Sequence, residues 1–197
     1  VYLANHSGSK VLCVHADYLD TVDSVRSRMT TVECFVALEG SKPGWLDYEQ
    51  LLAASDDVFE RPPIAEGDLL SINYTSGTTS RPKGVMITHR NAWVNAVGTL
   101  AHLPMTPADR FLWSLPMFHA NGWTYTWIVT AAAALHVCLR QVDAATVYRL
   151  VNQECITMLC AAPTVLIAIA SGPEEGRKSL RRGVRVQTAG APPAAAT

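Results

Sequence analysis

Strong charge of either sign is missing from this 197-residue sequence: 16 Lys and Arg stand against 17 Asp and Glu, a net charge of −1. So even a balance offers no electrostatic footprint for nucleic acid or an anionic membrane. Long hydrophobic runs are also missing, and none approaches the roughly 20 apolar residues of a transmembrane segment. The longest, Trp127 to Leu139, is interrupted by Thr130 and His136 and reads as a buried helix followed by a strand. The five cysteines, at 13, 34, 138, 155 and 160, show neither CxxC nor Cys/His ligand spacing. Their apolar surroundings predict buried, reduced thiols in a cytoplasmic protein. Val1–His6 has neither an initiator methionine nor a cationic leader, so no signal peptide is expected. This stretch reads as the end of a helix closed by Gly8. The last residues follow directly on an apolar strand, and both ends read as cut points.

Short apolar runs alternate with amphipathic stretches, which predicts an α/β fold of layered sheets flanked by helices. Strands are expected at Lys10–His15, Glu33–Leu38, Asp68–Tyr74, Val85–Ile87, Arg110–Leu115, Ala134–Leu139, Thr157–Cys160 and Val184–Thr188. Helices are expected over 17–28, 46–54, 88–103, 120–132, 143–154 and 163–170. Thr88 suits an N-cap, and Ala92, Val94, Ala96, Val97, Leu100 and Leu103 form a broad apolar face behind it. Asp143 can cap a helix in the same way, and Pro163 fits a first helical turn. The acidic, diproline segment 55–67 reads as an exposed connector. It divides a first βαβα portion, 1–54, from a larger portion, 68–197, that carries the motifs. Residues 172–183, rich in Glu, Arg and Lys, read as a solvated loop, with a functional basic patch as the other reading.

The most informative stretch runs from Ile72 to Gly84. Between Thr75 and Gly84 it crowds together five hydroxyls (Thr75, Ser76, Thr78, Thr79, Ser80), two glycines and two cations, with apolar strand-like sequence on both sides. Backbone N–H groups, hydroxyl donors and the Lys83 ammonium suit a nucleotide phosphate. The stretch is not a G-x-x-x-x-G-K-[ST] loop. Counted from Gly77, the second glycine is replaced by Pro82, and Gly84 replaces the hydroxyl residue after the lysine. A merely structural turn would not need Arg81 and Lys83 as well.

Tyr74 to Val85 resembles the signature of the adenylate-forming (AMP-binding) superfamily, which includes acyl-CoA synthetases, luciferase and the adenylation domains of peptide synthetases. Every constrained position matches, with Ser80 where glycine is commoner. Leu115-Pro-Met-Phe-His-Ala-Asn-Gly-Trp123 is similar to the family's second core motif, about 35 residues beyond the loop. Alone, His119 would read as a structural histidine; in this block it resembles the family's substrate-site histidine. Thr188-Ala-Gly-Ala-Pro192 resembles the glycine-rich strand end that lies against adenine. Leu3–Leu12 resembles the stretch before the signature, so the likeness covers the whole chain as part of a large N-terminal domain.

The resemblance implies ATP, Mg²⁺ and coenzyme A as partners of a carboxylic acid, activated as an acyl-adenylate and passed to a thiol. It assigns Thr75, Ser76, Gly77, Thr78, Thr79 and Lys83 to the phosphates, with Thr75 near the metal, and Gly190, Ala191 and Pro192 to the adenine. His119, Asn121, Gly122 and Trp123 would line the acid pocket, with His119 and Lys83 in catalysis and Arg81 toward solvent. Trp123 matches a tryptophan that gates the acyl tunnel in some fatty-acyl members, and core packing is its other reading. The Phe118–Trp123 run is most like medium- or long-chain fatty acyl-CoA synthetases; aryl acids stay open. The family's Tyr-Gly-x-Thr-Glu block, ribose-binding aspartate, hinge and late lysine do not occur in this sequence. The 197 residues by themselves are therefore expected to show little or no ligase activity. Part of an acyl-CoA synthetase is one reading, and a non-catalytic remnant or nucleotide-binding module the other. Unprotected sheet edges at two cut ends would favour a homo-oligomer.

Overall fold

The computed structural model describes residues 1–75, 81–181 and 183–189. They cluster into two compact units, one of Val1–Ala65 with Tyr74–Met86 and one of Glu66–Asn73 with Ile87–Thr197. Each is a layered α/β body, as the alternation of the sequence predicts.

In the first unit, helix α1 (Tyr2–Ser7) ends at Gly8, whose φ of 69° and ψ of 25° close it in the left-handed conformation that glycine adopts cheaply. Strands β1 (Val11–Val14), β2 (Cys34–Ala37) and β3 (Leu46–Asp47) form a parallel sheet in that order. Val14, Leu19, Met29, Phe35, Ala37 and Trp45 make its core. The helix expected over 17–28 is broken into a 3₁₀ turn at Ala16–Tyr18, α2 (Leu19–Asp23) and a second 3₁₀ turn at Arg26–Arg28. Two side chains compete with the helical ladder there: His15 Nδ1 accepts from Asp17 N, and Ser24 Oγ donates to the Thr21 carbonyl. The helix expected over 46–54 begins later, as α3 (Tyr48–Ala53). Asp47 is extended and accepts from Gln50 N at 3.0 Å, so it caps the helix and leaves Leu46–Asp47 free to pair with β2.

Strands β4 (Leu69–Thr75) and β5 (Lys83–Thr88) pair as a two-stranded sheet. Helix α4 (His89–His102) follows, and Thr88 caps it through a reciprocal box with Asn91. Its buried stripe is narrower than the sequence suggests: Ala92 and Ala96 are buried, whereas Val94 and Val97 are exposed. The second unit is built on a four-stranded parallel sheet, ordered β7 (Leu135–Cys138), β6 (Arg110–Trp113), β8 (Met158–Cys160) and β9 (Arg185–Gln187).

The period of two along β6 and β8 sends alternate side chains to opposite faces. Phe111, Trp113, Met158 and Cys160 join Ala96, Tyr125, Ile128 and Val129 on one face. Leu112 and Leu159 meet Val147, Val151 and Ile156 on the other. The helices that cover these faces include α6 (Tyr125–Ala131), α7 (Ala144–Gln153) and α8 (Pro163–Ala170). Asp143 caps α7 by accepting from Thr146 N at 2.9 Å, and Pro163 opens α8. At the amino ends of the strands, Asp109 accepts from Thr157 Oγ1 (2.7 Å), Thr106 N (2.8 Å) and Arg185 (2.6 Å). Burial alone would raise its carboxyl, but these hydrogen bonds and the Arg185 charge outweigh it and hold the group below 3.8.

Two expectations are corrected here. Within 172–183, Glu174–Lys178 is helical (α9) rather than loop. A Cβ at Gly172 would lie 2.3 Å from Ala144 Cβ, and one at Gly176 would lie 2.6 Å from the Tyr148 ring. Bare glycines thus let this short, non-periodic segment pack on α7. The cysteines are free, but only Cys160 is buried; Cys34 and Cys155 are half-buried, and Cys13 and Cys138 are exposed. An apolar strand neighbourhood does not say which strand face is covered. Burial pushes the Cys160 thiol up to about 12, so this thiol stays protonated and unreactive at neutral pH.

Candidate functional site

Thr75 is the last residue of β4 and Lys83 the first of β5, so the strands bring the two ends of the phosphate segment to defined positions in the first unit. Both side chains are exposed, as is Arg81. Ser76, Gly77, Thr78 and Thr79 lie outside the described residues, as do Gly190, Ala191 and Pro192. An exposed ammonium and an exposed hydroxyl on adjacent strand ends suit an incoming polyanion. Among the described residues no group of three His, Cys, Asp or Glu could hold a metal ion.

The second motif lies in the second unit. His119 is exposed, and its carbonyl accepts from Gly122 N at 2.9 Å. Directly after it the backbone departs from the regular helix expected over 120–132. Ala120, Asn121, Gly122, Trp123 and Thr124 have φ values of 42°, 48°, 61°, 53° and 66°, and right-handed α6 begins only at Tyr125. Ala120–Thr124 is thus a turn of left-handed backbone, its first four residues numbered α5 (Ala120–Trp123), and four of the five residues carry a Cβ. Each such residue costs about 1–2 kcal/mol relative to right-handed helix.

Tertiary contacts hold the turn in place. Asn121 Oδ1 accepts from Ser71 Oγ at 2.9 Å and from Asn73 Nδ2 at 2.5 Å, which fastens the turn to β4. Thr124 Oγ1 donates to Asn95 Oδ1 of α4 at 2.6 Å, and Thr126 Oγ1 donates to the Asn121 carbonyl at 3.0 Å. Gly122 is buried with its α-carbon against the Trp113 ring, and Trp123 is half-buried against the core around Phe111. Ser71 and Asn73 escaped the sequence reading. Their signal was two polar residues two positions apart in an otherwise apolar strand, which places both on one face.

Trp113 has a further polar tie. Its Nε1–H donates to His136 Nδ1 at 3.0 Å, and the two rings are parallel. His136 Nε2 therefore carries the proton and donates to Thr130 Oγ1 at 3.1 Å, which in turn donates to the Thr126 carbonyl. Desolvation by burial lowers the His136 pKa below 6.5. The neutral ring is the folded form, so its contribution to stability is complete above pH 6.5 and is lost as pH falls through the lowered value. Wild-type melting temperature should consequently start to drop below pH 6.5. In His136→Gln, which can still accept from Trp113, that first part of the drop should be missing from a pH series of thermal melts.

Beside these residues, a cleft of about 560 Å³ opens at the carboxyl ends of β6 and β7, lined by Trp113 to Phe118 with Leu139, Arg140 and Val142. Parallel α/β sheets bind ligands at this end of their strands. Phe118, the residue before His119, is 85% exposed on its rim. On β9, Gln187 Oε1 accepts from Tyr125 Oη and, at 3.7 Å, from Cys160 Sγ. The strand that leads to Thr188 and Ala189 is thereby tied to the core, and burial raises the Tyr125 hydroxyl's pKa.

The family description "AMP-binding enzyme" matches residues 1–197. The chain belongs to the AMP-binding enzyme family. It is 46% identical over 152 residues to "Probable acyl-activating enzyme 9" of Arabidopsis thaliana, an alignment that covers 76% of this chain and 27% of that protein. It is 35% identical over 206 residues to 4-hydroxybutyrate–CoA ligase 2 of Metallosphaera sedula, covering 100% of this chain and 37% of the relative. The inhibitor-bound N-terminal domain of FACL13 from Mycobacterium tuberculosis superposes with a TM-score of 0.87 at 26% identity, over 99% of this chain and 48% of that one. The chain thus spans 27% to 37% of these two relatives and about half of one solved N-terminal domain. Among the described residues no helix is long and apolar enough to cross a membrane.

Proposed function

We propose that this chain is part of an ATP-dependent acyl-CoA ligase, and the family match across all 197 residues carries the reading. The carboxylate oxygen of the acid attacks the α-phosphorus of ATP; the bond to the β-phosphate bridging oxygen breaks, and pyrophosphate leaves. The thiol of coenzyme A then attacks the acyl carbon, loses its proton and displaces AMP. The barrier of the first step is set by the negative charge that builds on the leaving β,γ-phosphates. Lys83, with the hydroxyls and N–H groups of Thr75 to Thr79, would neutralise it. Magnesium would add charge neutralisation when bound, and phosphate and water oxygens would supply most of its ligands. The Thr75 hydroxyl is a hard oxygen of the right kind to complete that set.

Gly190, Ala191 and Pro192 would lie against the adenine. His119, Asn121, Gly122 and Trp123 would surround the acid, with His119 beside its carboxylate. The residues Phe118 to Trp123 support a medium- or long-chain fatty acid as that substrate. The left-handed backbone at Asn121 and Gly122, held by β4 and Trp113, would set where His119 can reach.

Calorimetric titration with ATP·Mg²⁺ tests the reading. Lys83→Ala removes a charged donor from a phosphate and should weaken binding about ten-fold or more. Equal heats and equal affinity for the two proteins would remove Lys83 from the phosphate site.

A further inference from the structure

We propose that Tyr2 and His6 of α1 are positioning residues for the phosphate site, one restraining the approach to Lys83 and the other the approach to Thr75. The inference rests on the reading that Thr75 and Lys83 meet the nucleotide's phosphates. Residues four apart lie on one face of a helix. From that face, Tyr2 Oη donates to the Pro82 carbonyl at 3.2 Å, and His6 Nδ1 shares a 2.7 Å hydrogen bond with Tyr74 Oη. Pro82 is the residue before Lys83, and Tyr74 is the residue before Thr75. The rings close the arrangement: Tyr2 stacks on His6 at 5.2 Å, and Tyr74 meets the His6 ring edge-on at 5.7 Å.

The opposite side of α1 is anchored in the first unit. Thr31 Oγ1 donates to the Ala4 carbonyl at 3.1 Å, Asn5 Nδ2 donates to the Arg28 carbonyl at 2.9 Å, and Ala4 packs against the core of Phe35 and Trp45. One six-residue helix therefore connects that core to both strand ends that carry the phosphate-facing residues. Proline offers no N–H, so its carbonyl is the only backbone group through which the chain at Pro82 can be hydrogen-bonded. Tyr2 takes it. Tyr2 and His6 are both exposed, so their bonds contribute little to global stability while restricting where Thr75 and Lys83 can stand. Catalytic groups that must meet a transition state gain from such restraint, because misplacement of about 1 Å from a remote change can be expensive.

The test uses the 197-residue chain with Tyr2→Phe, His6→Ala, His6→Gln and Lys83→Ala. Tyr2→Phe keeps the stack on His6 and loses only the bond to Pro82. Tyr2→Phe and His6→Ala should each weaken ATP·Mg²⁺ about five-fold, the worth of one hydrogen bond. The amides of Thr75 and Lys83 should exchange hydrogen faster in both, with melting temperature unchanged. His6→Gln, which can still bond Tyr74, should recover most of the affinity. If Lys83→Ala weakens binding while the α1 variants bind and exchange like wild type, the positioning role is overturned and the phosphate reading stands. A fall in melting temperature that parallels the loss of affinity overturns it too, because the contacts would then be structural. If Lys83→Ala binds as tightly as wild type, the phosphate reading fails and takes this proposal with it.

Discussion

Gly122→Ala should lower the free energy of unfolding by about 2–5 kcal/mol, the sum of two penalties that one methyl group incurs. The first is conformational: at φ 61° and ψ 43° any Cβ crowds the adjacent carbonyl. The second is steric. A Cβ at this position would lie 2.5 Å from Trp113 Cζ3 and 2.8 Å from Cη2. The Trp113 ring cannot retreat, since it is 4% exposed, packed edge-on against Phe111, and held through Nε1 by His136. The left-handed turn must therefore move, and with it the bonds from Ser71 and Asn73 to Asn121. Urea unfolding should show a clear drop in midpoint. Gly98→Ala provides the contrast, because Gly98 is exposed in the middle of α4 and a methyl group there would meet nothing within 4 Å. That change should stabilise by about 0.5–1 kcal/mol. Equal midpoints for the two variants would remove the special role of Gly122.

Phe111→Ala should cost about 3–5 kcal/mol, the usual range for deleting a fully buried aromatic ring. Phe111 has no exposed surface and sits on the central strand β6 between two other rings. Tyr125 stacks on it at 4.8 Å, and Trp113 meets it edge-on at 5.1 Å. Loss of the ring leaves a cavity that β6, paired on both sides, cannot close by shifting. Tyr125 would lose its support on one side, and its hydroxyl holds Gln187 on β9. Chemical denaturation measures the cost. Near-UV circular dichroism should also lose the band expected of the packed aromatic cluster. A loss under about 1 kcal/mol would show that the site collapses around the smaller residue.

The elements that could be read in advance are those whose signals are local. Thr88 and Asp143 mark helix starts because a cap side chain accepts from a backbone N–H three positions on, and Pro163 because its fixed φ and missing N–H suit a first turn. The inner strands β6 and β8 of the second sheet were visible as short apolar runs because both of their faces are covered, by the Phe111 cluster and the Leu112 cluster. Burial was less legible. Val94 and Val97 share the α4 pattern with Ala92 and Ala96, yet only the alanines are close enough to a neighbour to be covered. The cysteines failed for the same reason. Cys13 and Cys160 both lie in apolar strands, but only Cys160 points into a layer that a helix covers.

By itself the sequence determined the α/β alternation, the helix starts at Thr88, Asp143 and Pro163, and the adenylate-forming signature. All of these depend on neighbours within a few positions along the chain. Only the tertiary structure decided the backbone after His119. Left-handed geometry at Ala120, Asn121, Trp123 and Thr124 is uphill for each residue alone, so no local rule predicts it. It persists because Asn121 meets Ser71 and Asn73, 50 and 48 residues away in sequence, and because Gly122 leaves room for Trp113. The link from α1 to Tyr74 and Pro82 has the same character, across 68 and 80 residues. Such contacts form only once the sheets exist, and their energies then override the local preferences from which the sequence was read.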